Sequence, residues 1–351
     1  MNYSQVYLDN ISSAPTPAEA CEEMERIYEQ HYAIPGAFHQ WGQWSKSAFE
    51  VFAEKTASLL GAQGFHTRFT IGAQIHPMNN GKILVSPIEA KSVMREIEQC
   101  GLPFERFQMN GYRYDLDFIE QKLKTQKFSL IVATSADRIT GTIQPIEELS
   151  GICAKYGAPV YCDISPLIGR SHFDFEKLGV QYGFVEGRLF GAPCDLMIGQ
   201  KLDFAFPLPM AAGFSKTLEL LEQDIEAKLQ VLNENTKYFW ELMQKHLPHL
   251  TLLGDSPFIE GVLAIAFEDV DRGAMMLAVD MQGVAMWAGD SFSGQIEQLK
   301  EMNVPDELAD SMLRFSLWHN NTTQELDYVL RVIPPLVDRI RFEKKSPKFR
   351  A

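Results

Sequence analysis

Cationic side chains are in short supply in this chain: 32 lysines and arginines stand against 46 aspartates and glutamates, a formal charge of -14 over 351 residues. Neutralising phosphates takes clustered Lys and Arg, so this balance excludes a general nucleic-acid binder. The one basic run, RIRFEKKSPKFR at the C-terminus, reads first as a solvated helix end and second as a docking tail for an acidic partner. Long apolar runs are missing as well. Hydrophobic residues make up 46% of the chain, yet no stretch approaches the ~20 residues of a membrane helix. The opening MNYSQVYLDN lacks the charged and apolar regions of a signal peptide. A cytoplasmic protein is the expectation. The five cysteines, Cys21, Cys100, Cys153, Cys162 and Cys194, are odd in number and without CxxC spacing, which argues against a disulfide framework or a zinc site. No HxxxH pair and no Gly-x-Ser-x-Gly elbow occurs, and His76 and His172 read as loop residues.

What is present has a clear rhythm. After a short strand VYLDN, the segments TPAEACEEMERIYEQHY and WSKSAFEVFAEKTASLLGA space their apolar residues as helices do. Short apolar runs KILVS, FSLIVAT and APVYCD then alternate with helical EAKSVMREIEQCG, YDLDFIEQKLKTQ and PIEELSGICAKYG. That alternation predicts an α/β fold with a mostly parallel sheet flanked by helices. One long helix is predicted from about Ser215 to His246. Beyond it, IEGVLAIAFE, GVAMWAG and MLRFSLW read as strands of a smaller sheet, with helices at DRGAMMLAVDMQ and TTQELDYVLRVIPPLVDRIR. A large domain over 14–246 and a small α+β domain from 1–13 and 247–351 follow, since single cores stop growing at about 250 to 300 residues.

Four phrases in order, VYLDNISSAPTP, GAFHQWGQ, TGTIQPIEELSGICAKYGAPVYCDISPLIG and DELADSMLRFSLWHNNTTQELDYVL, resemble the cysteine desulfurase branch of the class V aminotransferases. The resemblance spans the chain. It implies a fold type I architecture, with a seven-stranded sheet in the large lobe, and a pyridoxal phosphate enzyme that works as a dimer.

Carried over residue by residue, the resemblance implies that Asp163 matches the aspartate that pairs with the cofactor's ring nitrogen. Arg314 matches the arginine that grips a substrate carboxylate. Gly141, His39 and Gly42 keep loop positions. Other positions depart from the pattern. The stacking histidine is Ala90, in Glu89-Ala90-Lys91; an asparagine that bonds the cofactor is Arg138, and a glutamine is Pro166. The phosphate turn is Gly72-Ala73-Gln74, and only IHPMNN separates it from the next strand. The window LGVQYGFVEGRLFGAPCDLMIG holds no lysine, with Arg188 or Leu189 at the matching place, and Phe292 or a neighbouring serine stands where the catalytic cysteine belongs. A guanidinium is too basic to form a Schiff base.

The expectations are therefore a degenerate member of that family: no catalytic residue, vestigial pocket positions at Asp163, Arg188, Arg138, Arg314, Ala90 and Phe292, and a vestigial cradle at Gly72, Gln74, Gly141 and Asp163. No cofactor and no metal is expected, pyridoxal phosphate entering only if the window is misaligned. Arg188 or Arg138 is expected to pair with Asp163, with a cationic cavity for a small acidic ligand as the alternative. A binding or regulatory role, as a homodimer or beside an active desulfurase, is expected over the alternative of an enzyme that holds pyridoxal phosphate atypically or non-covalently, or that acts on a small acidic ligand.

Overall fold

The computed structural model describes residues 5–75, 81–201, 203, 206–287 and 295–345. The chain opens with β1 (Val6–Tyr7), α1 (Ala18–Gln30), α2 (Gln40–Leu59) and β2 (Thr67–Thr70). It continues through β3 (Lys82–Val85), α3 (Lys91–Gln99), β4 (Phe104–Arg106), a small hairpin of β5 (Met109–Asn110) and β6 (Arg113–Tyr114), and α4 (Leu116–Thr125). Then come β7 (Phe128–Thr134), α5 (Ile146–Lys155), β8 (Val160–Asp163), β9 (Tyr182–Val185) and β10 (Asp195–Ile198).

The main sheet has seven strands in the order β2-β10-β9-β8-β7-β3-β4. The pairings β4·β3·β7·β8·β9 are parallel, and β10 runs antiparallel to both neighbours. All seven residues of β7, FSLIVAT, are buried, as expected of a central strand covered by helices on both faces. The helices bury one stripe each: Val93 and Ile97, four apart, are the buried residues of α3. The starts of α2 and α4 are capped by a side chain. His39 Nδ1 accepts the Gly42 amide at 3.1 Å and Asp115 accepts the Phe118 amide at 2.9 Å.

The long helix predicted over 215–246 is two helices, α6 (Leu208–Glu222) and α7 (Ile225–His246). The break comes at Asp224, whose φ of 58° is left-handed. Lys228 turns its Nζ back onto the carbonyls of Leu220, Leu221 and Gln223, closing the C-terminus of α6 with a cation. Both flanks are good helix formers, so periodicity runs straight through the break.

After α7 come β11 (Leu250–Leu253), β12 (Val262–Phe267), α8 (Arg272–Asp280), β13 (Val284–Ala285), α9 (Gln295–Glu301), α10 (Asp306–Ala309), β14 (Met312–Ser316) and α11 (Thr323–Lys345). The strands β11-β12-β14 form an antiparallel sheet, and β1 pairs in parallel with β13. Leu232, Phe239 and Met243 of α7 pack with Ile265, Phe315 and Leu330 in a core separate from that of the main sheet. Among the described residues no helix is long and apolar enough to cross a membrane.

Candidate functional site

Three parallel strands end side by side at Thr134, Asp163 and Val185. Clefts at the carboxyl ends of parallel strands are where open α/β sheets place ligands. The loop after β7 is rigidified by Asp137, whose buried carboxylate accepts the Thr140 amide at 2.8 Å, the Thr140 hydroxyl at 2.6 Å and the Ile139 amide at 3.2 Å. Gly141 completes the turn at φ +80°, where an added Cβ would meet Val262 at 3.1 Å.

Arg138 projects from this loop and bridges two acids. Its Nη2 donates to Asp163 Oδ2 at 2.5 Å and its Nη1 to Glu186 Oε2 at 2.6 Å. Asp163 is fully buried and the Arg138 side chain is 11% exposed. Burial alone would make the guanidinium easier to deprotonate, but the two carboxylates outweigh it and hold its proton more tightly than usual. The other oxygen of Asp163 accepts the Ser165 amide at 2.9 Å and the Ser165 hydroxyl, while Ser165 Oγ accepts the Glu186 amide at 2.7 Å. Both carboxylates are thus saturated, which a buried charge needs in order not to destabilise the fold.

Arg188 does not reach Asp163. It lies on the short turn Gly187–Phe190, 57% exposed, and donates to Glu186 and to the Ser12 carbonyl. Burial would raise the Glu186 carboxyl, yet Arg138 and Arg188 together hold it below the usual range. Arg314, buried on β14, donates to Asp9 at 2.6 Å, to Ser12 Oγ at 2.7 Å and to the backbone carbonyl of Arg138 at 2.9 Å. Its guanidinium lies 4.5 Å from the Trp287 ring centre. Each of the three arginines has an acidic partner, Arg138 and Arg188 sharing Glu186 while Arg188 and Arg314 share Ser12. Between Arg188 and Arg138 the expected partner of Asp163 resolves to Arg138.

The cradle positions are placed as follows. Gly72 sits at φ +80°, and its amide donates to Asp195 Oδ2 at 2.6 Å. The other oxygen of Asp195 accepts the Gly187 amide at 2.9 Å. The Gln74 carbonyl faces Gln200 Nε2 at 3.5 Å. Ala90 caps α3 without a side-chain bond, and beside it Glu89 is 2% exposed with neither carboxylate oxygen bonded among the described residues. Burial, then the charge of Asp163, pushes the Glu89 carboxyl well above the ordinary range despite Arg138. Phe292, His76 and the residues after Lys345 lie outside the described residues. Sequence reasoning missed Asp195, Ser165, Ser12 and Asp9 as members of this network. They are short polar residues with no motif among them, and the Asp195–Gly72 contact joins positions 123 apart.

The family model "Aminotransferase class-V" matches residues 6–187 and 205–329. Cysteine desulfurase IscS of Dictyoglomus turgidum is 25% identical, covering 96% of this chain and 95% of its own length. Cysteine desulfurase IscS of Methanosarcina thermophila is also 25% identical, over 96% and 93%. In fold, the X-ray structure of a NifS-like protein from Rickettsia africae superposes with a TM-score of 0.86 at 19% identity, covering 95% of this chain and 99% of that one. These matches overturn the expectation of no cofactor: class V aminotransferases and cysteine desulfurases depend on pyridoxal phosphate, so the family points to that group. The residues present do not fit its attachment through a Schiff base. No lysine stands between Tyr182 and Ile198, Asp163 is bonded to Arg138 and Ser165, and the Gly72 amide is bonded to Asp195. The mismatch lies in how the group would be held and leaves the kinship intact: with its model matched across most of the length, this chain belongs to the aminotransferase class V family.

Proposed function

We propose that this chain is a catalytically degenerate member of the cysteine desulfurase branch, serving as a binding or regulatory protein in the cytoplasm. The observation that carries the reading is the Arg138 bridge. A guanidinium that spans Asp163 and Glu186 at 2.5 and 2.6 Å occupies the acid at the heart of the site, and an arginine does not lose the proton a nucleophilic amine must lose. Neither Arg138 nor Arg188 can supply a Schiff base or a sulfur-accepting thiol.

The partner surface this reading favours is the face formed by the end of α1, the loop after it and α2. Tyr28, Tyr32, Ile34, Phe38, Trp41 and Trp44 are all exposed there, Phe38 fully. Tyr32 stacks on Trp41 with centroids 5.8 Å apart, and Trp41 meets Trp44 edge-on at 5.4 Å. A contiguous aromatic patch of this kind marks an interaction surface. A second copy of the chain is the occupant proposed, and an active desulfurase subunit is the alternative. The division into domains at residue 247, with 1–13 joining the second, belongs to the same proposal.

The test is a titration of the purified chain with pyridoxal phosphate, followed by borohydride reduction and peptide mapping, beside an assay of alanine and sulfide release from cysteine. Expected are no trapped lysine and no turnover. A single trapped lysine together with sulfide release would overturn the reading.

A further inference from the structure

A cleft of about 650 Å³ is lined in part by Ser135, three residues before Arg138. The Ser135 amide donates to the Asp163 carbonyl at 2.8 Å and the Ser135 carbonyl accepts the Gln144 amide at 2.8 Å, so its backbone is fixed between β8 and the segment leading into α5. None of the charged residues of the Arg138 network lines it.

Several hydrogen-bond donors in this cleft lack acceptors. Ser135 is 1% exposed, and its Oγ has no partner among the described residues. Arg113, on β6, has a buried Nε without an acceptor and forms no ion pair among the described residues. The third group is the start of α5. Its cap is Pro145, which has no side chain to offer, and the amides of Glu147 and Glu148 find no acceptor among the described residues. A buried donor without an acceptor, as at Ser135 and Arg113, costs about 1–3 kcal/mol, and the free amides of a helix N-terminus favour an anion.

The remaining walls narrow the class. Ile146, Leu167, Phe173 and Leu178 add apolar side chains to the lining. Glu147, Glu148 and Asp174 bring three carboxylates to the lining, against Lys177, which lies 3.9 Å from Asp174. A dianion such as phosphate meets that repulsion twice over, whereas a monocarboxylate with an apolar body matches donors and walls together. We propose that this cleft is a binding site for a small branched-chain or similarly apolar monocarboxylate, its carboxylate held by Arg113, Ser135 and the first turn of α5. The site is separate from the Arg138 network and stands whatever becomes of the function proposed above.

The experiment is calorimetric and NMR titration of the full chain with isocaproate, with the alcohol of the same skeleton and with inorganic phosphate. Arg113→Met and Ser135→Ala are made alongside, neither of which removes a bond present in the free protein. Isocaproate is expected to saturate, to shift the amide signals of Ser135, Glu147 and Glu148, and to bind about tenfold or more weakly to Arg113→Met, since hydrogen bonds to a charged group contribute about 1.5–3 kcal/mol. The alcohol and phosphate are expected to bind more weakly than isocaproate. No saturation, equal affinity for the alcohol, tighter binding of phosphate, or unchanged binding in both variants would each overturn the proposal.

Discussion

Replacing Arg138 by methionine removes the one cation bonded to Asp163 among the described residues, while roughly preserving volume. At charge separations of about 4 Å and an effective dielectric of about 20, each carboxylate loses roughly 4 kcal/mol of attraction. Glu186 keeps Arg188, but among the described residues Asp163 keeps only Ser165. That figure agrees with the 3–5 kcal/mol typical of a broken buried pair. The expected loss is therefore about 4 kcal/mol at pH 7. Urea unfolding followed by circular dichroism measures it. Adding Asp163→Asn to Arg138→Met should recover part of the loss, because no unpaired charge remains. A loss under about 1 kcal/mol, or no recovery in the double variant, would refute the assignment of this pair as the site's electrostatic anchor.

Glu89 gives the opposite sign. Burial and the charge of Asp163 keep its proton on in the folded chain, while the unfolded chain releases it, so stability falls as pH rises above the ordinary glutamate value. Glu89→Gln should raise the melting temperature at pH 8 and leave it nearly unchanged at pH 4; a lower melting temperature at pH 8 would show that the carboxylate is charged and paired. Asp195→Ala removes acceptors from the Gly72 and Gly187 amides and should cost about 2–4 kcal/mol in urea unfolding, with Asp195→Asn intermediate because one carbonyl oxygen remains. Phe38→Ser with Trp41→Ser should shift the chain toward monomer in sedimentation velocity at micromolar concentration, with unchanged circular dichroism; an unchanged sedimentation coefficient for a dimeric parent would place the interface elsewhere.

The sheet was legible because its central strands are buried on both faces, so FSLIVAT and APVYCD stand out as unbroken apolar runs between amphipathic helices. The interruption between α6 and α7 was not, because it depends on one left-handed aspartate and a lysine that reaches back, and neither disturbs the spacing of apolar residues. Pairing of Asp163 with an arginine could be anticipated, because resemblance placed Arg138 and Arg188 near a buried acid. Which arginine it would be could not. The choice depends on the turn Gly187–Phe190, which carries Arg188 outward to the Ser12 carbonyl, and on Asp137, whose three accepted bonds aim the next residue inward. The need for a cofactor was misjudged for a related reason. Missing residues in a motif speak to attachment chemistry, whereas kinship over nearly the whole chain speaks to which group the family handles.

The two contacts at the strand ends set the terms on which any ligand enters. Arg138 at Asp163 and Asp195 at the Gly72 amide each occupy a polar group that a ligand here would need. A ligand that claims Asp163 must first separate a salt bridge between two nearly dry groups, and one that claims the Gly72 amide must displace a carboxylate. Affinity at this place is then the ligand's own contacts less the strength of those pairs, as in any binding coupled to a competing internal contact. It follows that a variant weakening either pair without unfolding the chain, Asp195→Asn above all, should bind pyridoxal phosphate more tightly than the parent. Equal or weaker binding by that variant would mean that the amide of Gly72 is not where the phosphate goes.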